Sequence, residues 1–352
     1  MLPNYITVSG KTRQNDLDVT FLISMQPGGS TNSAASGGGG EEHRQQFLTF
    51  GDASWGSIKL GKDLGIFSSD AILSDMTLLG VGSASGNRVG STTTLGRIGT
   101  GYIYADWKNQ VAYSSPNFNG FSFTAGVTQA WNQVSVNGGA SSDEMGGNSP
   151  AFEGKASYAF AGDVAGKVWV SAISQKVEGL SNAVAGSQTI SIAGTATAVP
   201  GSANSITDTT SRAEAFDIGA NVNVAGFGGT AYYFNGKGIG HQAQMFGGFD
   251  AAGKKRDSDG YYVQGTYTLP GVGTKLGVSY GESNLDMNTS EAATQGDLKS
   301  DMWTVGAYHP LTKHLNLVAE YSKVTDEEAA HGAVAKAKSE QKIISLGAIL
   351  FF

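Results

Sequence analysis

The chain has 352 residues, and only 15% of them are charged, against about 25% in soluble domains. The net charge of −7 argues against a nucleic-acid partner, because proteins that bind nucleic acids carry a basic face. The absence of cysteine excludes disulfides, thiolate nucleophiles and cysteine-based metal sites. No segment reaches the roughly 18 consecutive apolar residues of a membrane-spanning helix. Residues 1–4 lack the basic and apolar regions of an export signal, so we expect that signal to be missing from this sequence or removed.

Fifteen segments alternate apolar with polar or small residues, which is the period-two pattern of a β-strand with two different faces. In chain order they are 5–11, 17–25, 45–50, 57–61, 110–114, 121–127, 154–160, 168–175, 216–224, 230–235, 261–269, 276–281, 302–308, 315–323 and 342–352. The alternation is clearest where Phe216 and Ile218 share one face and Asp217 and Asn221 share the other. The last segment ends the chain on an apolar strand, which in water would be an adhesive edge.

The connections between these segments alternate in length. Short turns such as 13–16 and 309–313 alternate with long connections such as 26–43 and 178–211, the latter with room for a small hairpin. Long loops on one side and short turns on the other are typical of outer-membrane β-barrels. Aromatic residues near the strand ends also favour this fold over its alternative, a soluble β-sandwich. We therefore predict an all-β, antiparallel transmembrane β-barrel that forms a single domain over residues 1–352.

The longest connection, residues 62–108, has no strand periodicity. Connections of this length without regular structure are usually functional or disordered. This one contains Ile72, Leu73, Met76 and Leu78, which need burial, so its composition is not that of a disordered segment. We therefore expect it to fold inward and to pack against the barrel wall.

Several segments resemble the general porins of Gram-negative bacteria. Residues 56–62 (GSIKLGK), 96–99 (GRIG) and 111–121 (VAYSSPNFNGF) look like the block around the third loop of that family. Residues 308–317 (YHPLTKHLNL) resemble a turn near the family's end, and Phe352 resembles the terminal signal read by the outer-membrane assembly machinery. The resemblance extends over nearly the whole chain in order and spacing.

The resemblance implies a 16-stranded barrel in the outer membrane, a homotrimer in contact with lipid and lipopolysaccharide, and a third loop folded into the lumen. It implies an outer-membrane porin, a passive diffusion channel for small hydrophilic solutes and ions with a charged constriction. About fifteen strands can be counted, whereas bacterial barrels of this kind have an even number. Either a first strand is missing from this sequence, or residues 1–25 are used differently.

The constriction is where charges on the loop are expected to face opposite charges on the wall and to set ion preference. Asp70 and Asp75 match the acidic positions of the family's loop, and Lys59 points inward by its parity with Ser57 and Gly61. Two further basic residues match the family's, and a third precedes the strand after the loop. The predicted constriction comprises Asp70, Asp75, Lys59, Lys62, Arg44 and Arg97.

Other functions are less favoured by the sequence. The five histidines have no metal-binding spacing, and no Gly-x-Ser-x-Gly segment lies between a strand and a helix, so we expect no enzyme, no metal and no cofactor. Acidic loop residues such as Asp257 and Asp259 are interpreted as solvated rather than as a divalent-cation site. The alternatives that stay open are a substrate-specific outer-membrane channel and a structural or adhesive surface barrel.

Overall fold

The structure is a computed structural model of the chain. It describes residues 4–27, 41–80, 97–131, 149–178, 188–192, 195–199, 210–250, 253–291 and 293–352. The predicted polar loops 26–43 and 132–150 lie largely outside the described residues. No helix among those that are described has the length and apolar character needed to cross a membrane.

The architecture is an antiparallel sheet of fifteen long strands, and each of the fifteen segments predicted from periodicity overlaps one of them. A two-residue strand, β3, pairs with β2, and β10 and β11 form a separate hairpin, as the composition of 178–211 had suggested. The strands are β1 Ile6–Gln14, β2 Leu17–Pro27, β3 Glu41–Glu42, β4 Gln46–Asp52, β5 Gly56–Leu64, β6 Trp107–Ser114, β7 Phe121–Thr128, β8 Ala151–Phe160, β9 Val164–Val177, β10 Gln188–Ile192, β11 Thr195–Val199, β12 Ser211–Val224, β13 Phe227–Lys237, β14 Asp257–Thr268, β15 Lys275–Asp286, β16 Leu298–Pro310, β17 Leu315–Glu328 and β18 Ala337–Leu350.

Each long strand pairs with its neighbours in the chain, so the sheet is a continuous meander. In the described part of the chain, β1 and β18 each have one hydrogen-bonded partner strand, β2 and β17 respectively. The first turn, at Asn15 and Asp16, has positive φ at both residues, 49° and 62°. A two-residue turn of this hand matches the twist of the flanking strands and fixes their register.

The observed strands are longer than the predicted ones, chiefly at the ends that lead into long connections. The connection predicted at 325–341 is 329–336 in the structure, and the one predicted at 62–108 is 65–106. The end of β17, from Thr325 to Glu328, is polar on both faces although its ladder to β18 continues. Alternation of apolar and polar residues arises only where one face of a strand is apolar. Where a strand extends into water, both faces are polar, so the alternation is lost although the backbone hydrogen bonds continue.

The two faces of the sheet differ as the alternation predicts. On β12, Phe216 and Ile218 are 51% and 52% exposed, whereas Asp217 between them is 1% exposed. The exposed face elsewhere carries apolar side chains, among them Val168, Val170, Val263, Val278 and Val305. An apolar outer face and a polar inner face are what a barrel in lipid requires.

Residues 65–80 and 97–106, the described parts of this connection and hereafter the inner loop, pack on the inner face of the sheet; residues 81–96 lie outside the described residues. The inner loop contains the α-helix α1, Ser69–Ser74, and a 3-10 helix, Met76–Leu79. The main hydrophobic core lies between this loop and the wall formed by β9 and β12–β14. Its members include Phe67, Ile72, Tyr102, Ile103, Trp169, Tyr232, Phe234 and Tyr262.

Candidate functional site

One buried carboxylate fixes the start of the inner loop. Glu153 on β8 accepts hydrogen bonds through Oε2 from the backbone N–H groups of Ile66 (2.7 Å) and Phe67 (2.8 Å). Its Oε1 accepts from the Thr128 hydroxyl and from the Lys108 ammonium, both at 2.7 Å. The side chains of Lys108 and Glu153 are both 0% exposed. Because Lys108 lies on β6, Glu153 connects the start of the inner loop to the strand that follows it.

The helical segment of the inner loop, residues 69–79, is attached to the wall by side chains of β14. The Tyr262 hydroxyl donates to the carbonyl oxygen of Ala71 at 2.7 Å. The Gln264 amide donates through Nε2 to the carbonyl oxygen of Ser74 (2.6 Å) and accepts through Oε1 from the N–H of Met76 (2.9 Å). The polar residues of this wall therefore satisfy backbone groups of the loop, which would otherwise be buried without partners.

Asp70 lies at the first turn of α1 between two lysines of the wall. Its Oδ2 is 3.3 Å from the Nζ of Lys155 on β8, and its Oδ1 forms an ion pair with Lys167 on β9. Lys155 also donates to the hydroxyl of Ser69 at 2.9 Å. We call these three charged residues the Asp70 cluster, which has one more positive than negative charge. The lysine side chains remain 26% and 31% exposed, so they are accessible from the lumen.

Asp75 is not at the surface of the loop but inside it. Its carboxylate accepts from the backbone N–H of Thr77 (2.9 Å) and from the Tyr102 hydroxyl (3.2 Å), and it lies 3.7 Å from Nε of Arg97. Burial raises the pKa of Asp75 above its usual value, against the opposing effects of Arg97 and these hydrogen bonds. Arg97 is 0% exposed and packs against the backbone of Gly281. A Cβ atom at position 281 would lie 2.3 Å from Nη1 of Arg97, so only glycine leaves room for the guanidinium there. The pair of Asp75 and Arg97 joins the two halves of the loop.

The predicted wall lysines lie on opposite faces of β5. Lys59 is on the inner face, where it forms an ion pair with Asp63 and lies over the Phe47 ring with Nζ 4.6 Å from the centroid. Lys62 pairs in register with Gln46 and Asn109 and shares the outer face with Leu60. The parity of a strand separates these two lysines, so only Lys59 is directed toward the lumen.

Arg44 lies at the long-connection ends of β2 and β6. Its backbone N–H donates to the Gln26 side chain, and its Nη1 donates to the Tyr5 hydroxyl, both at 2.9 Å. The guanidinium carbon lies 5.8 Å and 5.9 Å from the ring centroids of Tyr5 and Trp107. Arg44 is 3% exposed, so its side chain is part of the packing between strands at this end of the sheet.

The loop's apolar residues pack against the wall as expected, with one exception. Ile72 and Met76 are each 5% exposed, whereas Leu73 is 59% exposed. Consecutive residues of a helix point about 100° apart, so α1 buries Ile72 and directs Leu73 away from the wall. The expectation that Leu73 is buried was therefore wrong.

Sequence reasoning overlooked the two lysines that pair with Asp70. Lys155 lies within a predicted strand. A charged side chain on the lipid face of that strand would cost a few kcal/mol, so Lys155 could have been assigned to the inner face from the sequence. Lys167 lies one residue before the predicted strand 168–175, and the observed β9 begins at Val164. The contact of both lysines with Asp70 depends on the path of the inner loop, which no local sequence pattern predicts.

The site offers paired and partly exposed charges on a polar inner face. Among the described residues, no group of three or more histidine, aspartate or glutamate side chains is placed to hold a metal ion. Such an arrangement attracts or repels passing ions and orients polar solutes.

Comparisons with known proteins give the same architecture. The family model described as Gram-negative porin matches residues 3–329. Among solved structures, the chain is similar to the outer membrane channel DcaP of Acinetobacter baumannii, with a TM-score of 0.66 and 14% identity over 99% of this chain and 85% of that one. It is similar to the trimer form of the outer membrane protein OmpT of Vibrio cholerae, with a TM-score of 0.58 and 16% identity over 99% and 91%. A search of curated protein sequences finds no significant match.

A third similar structure is OmpF of Salmonella typhi in complex with daunomycin, with a TM-score of 0.58 and 15% identity over 99% of this chain and 91% of that one. At these identities, the structural likeness establishes the fold. The family model covers residues 3–329, which is most of the chain.

Proposed function

The chain belongs to the Gram-negative porin family, and on that premise we propose that its inner loop and the Asp70 cluster set the ion preference of the channel. The protein is a passive channel of the outer membrane for small hydrophilic solutes and ions. Its lumen is the polar inner face of the sheet, and the inner loop occupies part of that lumen.

The observation that carries the proposal is the position of Asp70. The Asp70 carboxylate is 5% exposed and lies between Lys155 and Lys167, both of which keep part of their side chains accessible. In confined water near a protein wall, charges interact more strongly than in bulk water because the effective dielectric constant is lower. The excess positive charge of the cluster should therefore attract anions to this side of the lumen.

We propose Lys59 and Asp63 as the charges on another part of the same lumen. They form a mutual ion pair on the inner face of β5, with side chains 29% and 11% exposed. Asp75 and Arg97 act indirectly, because their buried pair holds the loop in shape. Of the constriction predicted from sequence, we retain Asp70 and Lys59 as lumen residues and add Lys155 and Lys167.

The proposal also covers the oligomeric state and the surroundings of the protein. A homotrimer is supported by the trimer form recorded for the similar Vibrio cholerae protein. We propose that residues 1–352 form one barrel domain with no enzymatic activity, surrounded by lipid and lipopolysaccharide. Phe352, which is fully exposed, is proposed as the contact with the outer-membrane assembly machinery.

Planar-bilayer recording tests the function. We expect stepwise ion currents from the purified protein, in groups of three if it is a trimer, and swelling of protein-containing liposomes in small neutral sugars that slows as sugar size increases. The heat-denatured protein is the matched control. Folded protein that binds a surface partner but conducts no current would favour a structural or adhesive barrel and contradict the proposal.

A further inference from the structure

A cavity of about 380 Å³ lies between the helical segment of the inner loop, residues 69–79, and the wall formed by β15–β18. Leu73 and Met76 contribute from the loop, and Val318 and Ile349 contribute from the wall. The lining also includes Gly273 in the short turn before β15, so the cavity lies toward the short-turn end of the barrel. Its volume is within the range of small-molecule sites, which are mostly apolar with a few placed polar groups.

The cavity contains one ammonium group that forms no ion pair within 4 Å in the described part of the chain. Lys275, the first residue of β15, lines the cavity with its Nζ 5.1 Å from the centroid of the Tyr308 ring. Among the described residues it forms no ion pair within 4 Å, unlike Lys59, Lys155 and Lys167. The Asp75 carboxylate supports this half-buried ammonium only from beyond 4 Å, so an anion in direct contact would stabilise it further.

The two nearby carboxylates are already engaged by other groups. Asp75 lines the cavity, but its oxygens accept from Thr77 and Tyr102. Glu320 accepts from the Tyr308 hydroxyl at 2.6 Å. Lys275 can compensate one negative charge of a ligand against these two carboxylates, and a second negative charge would be repelled without compensation, so the cavity disfavours dianions.

We infer that this cavity binds small monocarboxylates with an apolar body, such as an aromatic acid, with the carboxylate at Lys275. The apolar side chains of Leu73, Met76, Val318 and Ile349 surround the body of the ligand. The side-chain amide of Asn316, which also lines the cavity, provides a second polar contact. The inference rests on the proposed function, because such a ligand reaches the cavity through the lumen.

A site of this kind makes the flux of its ligand saturable while other solutes still diffuse freely. A ligand in the cavity lies beside the exposed Leu73 and interrupts the ion current for as long as it stays bound. The channel thereby gains a preference for one chemical class without a gate.

The test is block of ion current by benzoate in planar bilayers at low salt, with intact wild-type protein. We expect a saturable block, weaker with the neutral benzamide and with the dianion terephthalate. Lys275→Gln should raise the half-blocking concentration of benzoate at least about tenfold, because it removes a charge-assisted contact. Lys275→Arg should keep most of the block.

Lys62→Gln is the matched control, since it removes a lysine from the outer face, and it should leave the block unchanged. Normal current without benzoate block, or equal block by benzamide, would overturn this inference and leave the channel function standing. Equal block in Lys275→Gln and wild type would also overturn it. Absence of any current from folded protein would instead contradict the proposed function.

Discussion

The inner face of the sheet has two regions that differ in what covers them. Behind the inner loop, Trp169, Tyr232 and Tyr262 are 2%, 3% and 0% exposed, because the loop packs on them. On β1 and β5, the inner side chains of Lys11 and Lys59 are 66% and 29% exposed. The first region is a hydrophobic core, whereas the second keeps its side chains partly accessible, although both lie on the inner face of the sheet.

This difference separates inward-facing positions from pore-lining positions. Strand parity assigns a residue to the inner face, but the path of the loop decides whether that residue meets water. Gln264 illustrates the point, since its amide bonds to the backbone of the inner loop at Ser74 and Met76. We therefore expect charge selectivity to depend on the few charged groups that the loop leaves accessible.

The largest expected effect comes from releasing the loop from the covered wall. Glu153→Ala removes the acceptor of two backbone N–H groups and leaves Lys108 buried without its counter-ion. Breaking a buried pair costs about 3–5 kcal/mol, so we expect the inner loop to detach while the strand ladder persists. The measurement is limited proteolysis of the folded protein in detergent, with cleavage within 65–106 as the readout.

The matched control for this change is Glu214→Ala, because Glu214 is an exposed glutamate that is 3.6 Å from Lys255 on the outside of the loop-bearing wall. It should leave the inner loop protected from protease. An inner loop that stays protected in Glu153→Ala would mean that the covered wall holds the loop without this anchor.

A smaller effect is expected from one hydrogen bond of the same wall. Tyr262→Phe removes the hydroxyl that donates to the carbonyl of Ala71, and a typical hydrogen bond contributes about 0.5–1.5 kcal/mol. We expect faster amide hydrogen exchange at α1 and unchanged exchange in the strands. Tyr261→Phe, one residue earlier on the opposite face, should leave the hydrogen exchange of α1 as in wild type. Equal exchange of α1 in the two variants would argue against tight coverage of this wall by the inner loop.

The sequence was sufficient to predict the positions of the strands and their two faces. It was insufficient to predict which residues of the inner loop are buried and which partners they contact. Alternation located β12 and its two faces because lipid imposes a strict apolar pattern on one side. Asp75 and Arg97 were both expected in the constriction, yet they form a buried pair within the loop. A loop has no period from which burial can be inferred, so the partners of Asp70, Asp75 and Arg97 became visible only in three dimensions.

The role of the Asp70 cluster is tested most directly by the reversal potential in a KCl gradient, measured for folded variants of the cluster. Lys155→Gln with Lys167→Gln leaves Asp70 uncompensated and should shift the potential toward cation preference, whereas Asp70→Asn should shift it toward anion preference. Both shifts should shrink as salt rises, because mobile ions screen the fixed charges. Lys62→Gln, on the outer face of β5, should cause no shift. Unchanged potentials in both cluster variants, or an equal shift in Lys62→Gln, would contradict the claim that the Asp70 cluster lines the ion path.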